Sequence, residues 1–244
     1  MKMLSLFSGL GGFELAGSQF GIEPVAASEI DPFCVRVTQE RFPNMKHLGS
    51  VTEINGADIE PVDIVCFGSP CQDLSVAGAQ KGIHEGDRSN LFFEAIRIIK
   101  EMRENDERVN GRTGIDVRPR WIVFENVPGA FNSNHGEDFR AILEAFCNIR
   151  DETAYVPRPA GRKKWSFAGC IVGNGYSIAW KTLNAALWGV PQRRQRVYAT
   201  VDLGSERAAE VQFIGESIPW SAPPRGEKKK GTPANAEGSI VGND

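Results

Sequence analysis

Short apolar runs and amphipathic stretches alternate along the chain, and each run stops at glycine, proline or an acidic residue. Lys2–Phe7 reads as a strand that ends in Ser8-Gly9-Leu10-Gly11-Gly12, after which Phe13–Phe20 takes helical spacing. Pro24–Ser28 is a second strand, closing on Glu29-Ile30-Asp31-Pro32; a helix over Phe33–Phe42 and a third strand end at Leu48–Thr52 follow. Val62–Phe67 is a short buried strand stopped by Gly68 and Pro70, just before Cys71. Leu91–Lys100 has the period of an amphipathic helix, started by Ser89 or Asn90, and the charged segment from there to Arg118 reads as exposed. Trp121–Phe124 is a wholly apolar strand ending in Glu125-Asn126-Val127-Pro128-Gly129. Glu137–Ile149 reads as a helix and Tyr176–Leu183 alternates like a strand. Ser75–Arg88 has no periodicity and reads as a loop able to act as a lid, and from Pro219 the chain turns Pro, Gly and Lys rich in the manner of a linker or tail.

This pattern places reactive side chains at the carboxyl ends of strands, where open α/β sheets bind their ligands. Strand, glycine turn and helix form the entry to a nucleotide-binding unit, because backbone without a Cβ lets a ligand come close. An acidic residue about twenty positions later, at the tip of the second strand, is placed to hold a ribose diol, and Glu29 stands there. Asp31 reads instead as a helix N-cap with Pro32 in the first turn. Cys71 behind its strand is either a packed thiol or a nucleophile, and Glu125 either a turn residue or a proton donor. Arg194 and Arg196 share one face of an entering strand and suit a phosphate or a base carbonyl, or simply water. The basic stretch Pro157–Trp165 suits a phosphate backbone or a solvated tip.

Composition adds little to this picture and removes some alternatives. With 244 residues and a net charge of -3, the chain can build one sizeable core and carries no global bias towards polyanions. No apolar run approaches the roughly 18 residues of a membrane span, and Met1–Phe7 is too short for a signal peptide, so a cytoplasmic protein without membrane contact is expected. Its five cysteines, Cys34, Cys66, Cys71, Cys147 and Cys170, are scattered, which supports neither a metal site nor a disulfide framework.

Taken together and in order, Phe7-Ser8-Gly9-Leu10-Gly11-Gly12, Glu29, Pro70-Cys71-Gln72, Glu125-Asn126-Val127 and Gln192-Arg193-Arg194-Gln195-Arg196 resemble the motif series of the cytosine-C5 DNA methyltransferases, in wording most like the bacterial and phage enzymes. The resemblance covers Met1–Val201. It implies an α/β, Rossmann-like S-adenosylmethionine-dependent methyltransferase fold, with a mostly parallel central sheet flanked by helices. A catalytic domain is then expected over residues 1–204, and a largely irregular linker or C-terminal region over 205–244. It implies S-adenosylmethionine as cofactor, wrapped by Phe7, Ser8, Gly9, Leu10, Gly11 and Gly12, with Phe7 against the adenine. Glu29 would hold the ribose, Ile30 would pack on the ring, and Ser50, Val51, Pro70 and Leu91 would complete the pocket. Double-stranded DNA is the implied partner. Cys71 would attack C6 of a flipped cytosine, Glu125 would engage N3, Arg196 would hold O2 and Arg194 would anchor the site.

Two departures qualify the resemblance. The family usually carries Asp where this chain has Ser50, which would weaken cofactor binding by about 1 kcal/mol. A target-recognition domain and a closing segment, which the family places after the strand of Tyr198, are not found here. The chain then corresponds to a catalytic portion: a fragment, a phage remnant, or one subunit completed by a second polypeptide that supplies target recognition. Alternatives are an inactive DNA- or nucleotide-binding module and a tRNA cytosine methyltransferase, although the Cys-Phe-Thr stretch of that branch is absent. A nicotinamide dehydrogenase would leave the Pro70-Cys71-Gln72 loop and the arginine strand unexplained.

Overall fold

The computed structural model describes residues 1–70, 91–160, 164–189 and 191–213. Among them, eight strands form one sheet in the order β3-β2-β1-β4-β5-β8-β7-β6. The strands are β1 (Lys2–Leu6), β2 (Glu23–Ser28), β3 (Lys46–His47), β4 (Ile64–Phe67), β5 (Trp121–Asn126), β6 (Ala168–Gly173), β7 (Tyr176–Asn184) and β8 (Gln195–Asp202). The first five run parallel, and β8, β7 and β6 continue the sheet with antiparallel pairings. Helices α1 (Gly12–Ser18), α2 (Pro32–Arg41), α3 (Leu91–Asn110), α4 (Glu137–Cys147) and α5 (Ala208–Phe213) flank it. This is the mostly parallel α/β architecture that the family resemblance implies. No helix among the described residues is long and apolar enough to cross a membrane.

β4 and the apolar part of β5 are nearly continuous in hydrophobic character because both lie in the middle of the sheet, covered on two sides. Their carboxyl ends are pinned by an aromatic cluster. Phe67 lies 5.2 Å from Phe124, 6.0 Å from Phe92 and 6.3 Å from Phe146 between ring centroids, in tilted or edge-on geometry. All four rings are fully buried. Burial of one such side chain is worth about 1.5–3 kcal/mol, so the cluster fixes the last residues of β4 and β5 and the first turn of α3 firmly against each other.

Two local expectations are corrected, and further features had not been anticipated. The third strand end is not a strand over Leu48–Thr52: β3 pairs with β2 only through Lys46 and His47, Gly49 turns with φ 75°, and Ser50 caps a 3₁₀ turn over Val51–Glu53. The charged segment after Lys100 is not exposed throughout. α3 continues to Asn110, and Arg103 and Asp106 are buried because they close the following loop. Arg103 Nη1 donates to the carbonyls of Val117 (3.2 Å) and Pro119 (2.6 Å), and the Arg118 N–H donates to Asp106 (2.7 Å).

β6 has no counterpart in the predicted elements. Its glycines make the strand, since a Cβ on Gly169 would lie 2.3 Å from the Trp180 ring and one on Gly173 would lie 2.2 Å from Tyr176. Finally, the basic stretch is largely exposed where it is described, and two contacts tie it to α4. Arg158 pairs with Glu137 (3.0 Å), and the Trp165 indole donates to the Gly136 carbonyl (2.8 Å), which locks the start of α4. α5, within the segment read as linker, packs against β7 and β8, and Gln212 accepts from the Thr200 hydroxyl (2.6 Å).

Candidate active site at the carboxyl edge of the sheet

The chain leaves β1 through a sharp reversal. Phe7 adopts φ 55°, which is unusual for a bulky side chain and costs on the order of 1–3 kcal/mol. Several bonds hold it there: the Ser8 N–H donates to the Ser28 carbonyl (3.0 Å), and the Ser8 hydroxyl donates to the fully buried carboxylate of Glu14 on α1. Gly9 and Gly11 follow with φ 54° and 81°, and a Cβ on Gly11 would press within 3.0 Å of Thr38 on α2. Glu29 closes the turn from the neighbouring strand end. One of its carboxylate oxygens accepts from the Gly9 N–H (2.7 Å), and the other accepts from the N–H groups of Ile30 (2.8 Å) and Asp31 (2.9 Å). Asp31 caps α2, accepting from Phe33 N (2.7 Å), as its spacing before Pro32 predicts.

Around this clasp the surface is open. A Cβ at Gly9 or Gly12 would meet nothing within 4 Å. Leu10 and Ile30 are 54 % and 75 % exposed, apolar side chains left uncovered beside a polar clasp. Three backbone donors occupy only part of the four or so acceptor positions of the Glu29 carboxylate, so one remains for a hydroxyl. Ser50 and Val51 lie beyond β3. The Ser50 hydroxyl is engaged locally, accepting from the Thr52 N–H (3.3 Å), and Val51 is buried. Phe7 and Leu91 are both partly buried and pack on the main core.

The second half of the site is built by β4, β5 and β8. Register pairs Phe67 with Phe124 and Glu125 with Tyr198, which sets Glu125 between the end of β4 and the start of β8. Its carboxylate is 22 % exposed and forms an ion pair with Arg196 (Nε to Oε1, 2.8 Å), with Arg194 approaching the same oxygen at 4.0 Å. Arg196 is further fixed by donating from Nη1 to the Gln195 carbonyl (2.8 Å). On the other side Gly68 leaves the space that Glu125 uses: a Cβ there would sit 2.9 Å from Oε2. Burial, with the adjacent Glu125 charge, pushes the Tyr198 hydroxyl above its ordinary range, so Tyr198 stays a neutral wall beneath the pair.

The two halves are therefore consecutive. Sheet order β2-β1-β4-β5-β8 sets Glu29, Phe7–Gly12, Gly68–Pro70, Glu125 and the arginines side by side along one edge, at about 4.8 Å per strand. The structure joins Glu29 to the glycine turn and Glu125 to Arg196 and Arg194. Cys71, Gln72 and the Ser75–Arg88 loop lie outside the described residues, but Pro70, to which Cys71 is bonded, is exposed at this edge. No group of three or more metal-binding side chains occurs among the described residues. Sequence reasoning missed Gly68, whose only signal was its position before Ser69-Pro70-Cys71, and Glu14, which reads as an ordinary polar face of α1.

Residues 1–150 and 171–223 match the C-5 cytosine-specific DNA methylase family. The chain belongs to that family. Every block of the methylase motif series, from Phe7 to Arg196, falls inside the matched residues, whereas the stretch holding Arg158 and Trp165 falls between them. Among methylase relatives, the chain is 32% identical over 203 residues to the Type II methyltransferase M2.BsuMI of Bacillus subtilis (strain 168), covering 83% of this chain and 42% of that protein. It is 31% identical over 198 residues to the Type II methyltransferase M.HhaI of Haemophilus parahaemolyticus, covering 81% of this chain and 48% of that protein. The chain thus spans less than half the length of these two relatives. A crystal structure of the S. pombe Dnmt2 methyltransferase shares the fold, with TM-score 0.58 and 19% identity over 93% of this chain and 58% of that one.

Proposed function

We propose that this chain carries the chemistry of a DNA (cytosine-5-)-methyltransferase, moving a methyl group from S-adenosylmethionine to C5 of a cytosine flipped out of duplex DNA. The observation that supports it most directly is the juxtaposition of the Glu125–Arg196 pair with the Glu29–Gly9 clasp on one sheet edge, next to Pro70. The residues fit the cofactor: Glu29 retains an acceptor position for a ribose hydroxyl, Gly9 and Gly12 leave the backbone approachable, and Ile30 and Leu10 offer uncovered apolar surface. S-adenosylmethionine, when bound, supplies the electrophilic methyl group.

The remaining steps belong to this chain's own residues. Cys71, as thiolate, forms a bond from Sγ to C6 of the base, and the displaced ring electrons make C5 nucleophilic. Glu125 engages N3 so that negative charge does not accumulate on the ring. Arg196 fixes the Glu125 carboxylate and presents its remaining donors to the base O2; Arg194, 53 % exposed at its side chain, faces the phosphate backbone. After C5 accepts the methyl group, loss of the C5 proton returns the electron pair and expels the Cys71 thiolate.

Duplex DNA carrying 5-fluorocytosine tests this reading, because the C5 fluorine cannot leave as a cation and the adduct persists. Incubation with the chain and S-adenosylmethionine is expected to give a denaturation-resistant protein–DNA adduct that Cys71→Ser abolishes. No adduct at saturating cofactor and DNA would overturn the proposal.

A further inference from the structure

α3 touches two parts of the candidate cofactor pocket that are far apart in sequence. Its first residue is Leu91, and one to three turns later its side chains grip the segment that begins at Ser50. Arg97 is the centre of that grip. Its guanidinium donates to the carbonyls of Val51 (Nη2, 3.1 Å) and Ile54 (Nη1, 2.8 Å). Two carboxylates on the same helix hold it in place: Glu94 accepts from Nε (2.9 Å) and Nη2 (2.7 Å), and Glu101 accepts twice from Nη1 (2.8 and 2.9 Å).

The same Glu101 reaches across to accept the Gly56 N–H (2.7 Å), and Asn105 donates to the Ala57 carbonyl (3.0 Å). Gly56 lies so close to α3 that a Cβ would stand 2.3 Å from the Ile98 carbonyl oxygen. The segment from Val51 to Ala57 is therefore seated on α3 by directional bonds as well as by the burial of Val51 and Ile54 in the core, while β3 beside it contributes only two residues. Elsewhere the chain spends such a network differently. Arg140 on α4 is bracketed by Glu137 (2.7 Å) and Glu144 (2.6 Å) with the same spacing, yet no hydrogen bond found for it goes to a backbone carbonyl of another segment.

We propose that Arg97 is a positioning residue for cofactor binding, holding the Ser50–Val51 wall at a fixed distance from Leu91 so that the adenosine end of S-adenosylmethionine fits between them. The proposal rests on the reading of Ser50, Val51 and Leu91 as cofactor contacts. Lysine in place of Arg97 keeps the charge between Glu94 and Glu101 but cannot serve two carbonyls in a planar fork, so the wall loosens while the helix stays paired.

The test is the equilibrium dissociation constant of the full chain for S-adenosylmethionine, with Arg97→Lys, Arg140→Lys and Glu101→Gln measured well below their unfolding temperatures. Arg97→Lys is expected to raise the constant about tenfold, on the scale of two weakened hydrogen bonds, and Arg140→Lys to leave it unchanged for a similar loss of thermal midpoint. In the 5-fluorocytosine reaction the S-adenosylmethionine concentration giving half-maximal rate should rise, with the rate at saturation unchanged. Glu101→Gln, which loosens both Arg97 and the direct bond to the Gly56 N–H, should raise the constant in the same direction, and an unchanged constant in it counts against the role of Arg97 even if Arg97→Lys does not fold. An unchanged constant in a folded Arg97→Lys or Glu101→Gln chain, or an equal rise in Arg140→Lys, overturns the role of Arg97 alone. Failure of the unaltered chain to bind S-adenosylmethionine overturns the cofactor reading, and this proposal with it.

Discussion

Gly68→Ala isolates the geometry of the Glu125 carboxylate from the stability of the fold. Gly68 sits outside the left-handed region, so alanine is compatible with its backbone, and the loss of unfolded-state freedom favours the variant by about 0.4–1 kcal/mol. The added Cβ meets Glu125 Oε2 at 2.9 Å and the Glu125 carbonyl oxygen at 3.4 Å. The backbone contact is tolerable; the carboxylate contact is not, and relief requires Oε2 to retreat by roughly 0.5 Å or more. Oε1 of the same group is tied to Arg196 at 2.8 Å, so the retreat rotates or breaks the ion pair. Misplacement on a 1 Å scale costs up to about a hundredfold in rate, and the expected drop in adduct formation on 5-fluorocytosine DNA is about 10- to 100-fold. Thermal midpoint should move by no more than about 4 °C, the response of a chain this size to 1 kcal/mol. As a control, Gly129→Ala, whose Cβ would find only Val127 at 3.6 Å, should react at the unaltered rate. A Gly68→Ala chain that folds and reacts at full rate would refute the claim that the Glu125–Arg196 geometry limits the chemistry.

Three further outcomes follow from single contacts. Glu29→Ala strips the acceptor from three backbone donors of the glycine turn and should weaken S-adenosylmethionine binding by about 10- to 100-fold, read by titration calorimetry; undiminished affinity would contradict the clasp. Gly56→Ala drives a Cβ into the α3 backbone at Ile98 and should cost about 3 kcal/mol in urea unfolding. Asp202 is fully buried; burial alone would raise its pKa, but the Arg120 fork, the Ser205 hydroxyl and the Gly204 N–H together hold it below the ordinary carboxylate range. That contribution is complete above about pH 4 and is lost as pH falls through the lowered folded value. Asp202→Asn should therefore cost about 3 kcal/mol at neutral pH and flatten the fall in urea midpoint below about pH 4; an equally steep fall would assign acid sensitivity to other carboxylates.

What was legible in the sequence is local. The strand at Lys2, the turn at Gly9–Gly12, the cap at Asp31 and the apolar strands before Gly68 and Glu125 are all set by residues within a few positions of one another. What was illegible depends on partners far along the chain. Arg103 and Asp106 look solvated in a run of charges because their partners at Val117, Pro119 and Arg118 lie 12 to 16 residues away. Arg97 hides its two carbonyl bonds for the same reason, at separations of 46 and 43. β6 failed the strand pattern because its glycines answer to the rings of Trp180 and Tyr176 rather than to propensity. In the site, Glu125 and the arginines were each visible, but that they form one ion pair is a matter of β5–β8 register, which no spacing encodes.

The ring contact between Phe67 and Phe92, 6.0 Å apart, has a bearing on how this chain tolerates change. One ring ends the strand before Cys71 and the other opens the helix after Asn90, so the core holds both ends of the intervening segment. For a segment closed between fixed ends, the cost of added length grows only logarithmically, by about 0.6 kcal/mol for each doubling. Insertions or deletions between Leu74 and Arg88 should therefore leave folding almost untouched, read as an unchanged urea midpoint. The aromatic clamp thus lets the length and composition of the intervening segment vary without loosening the sheet and helix that flank it.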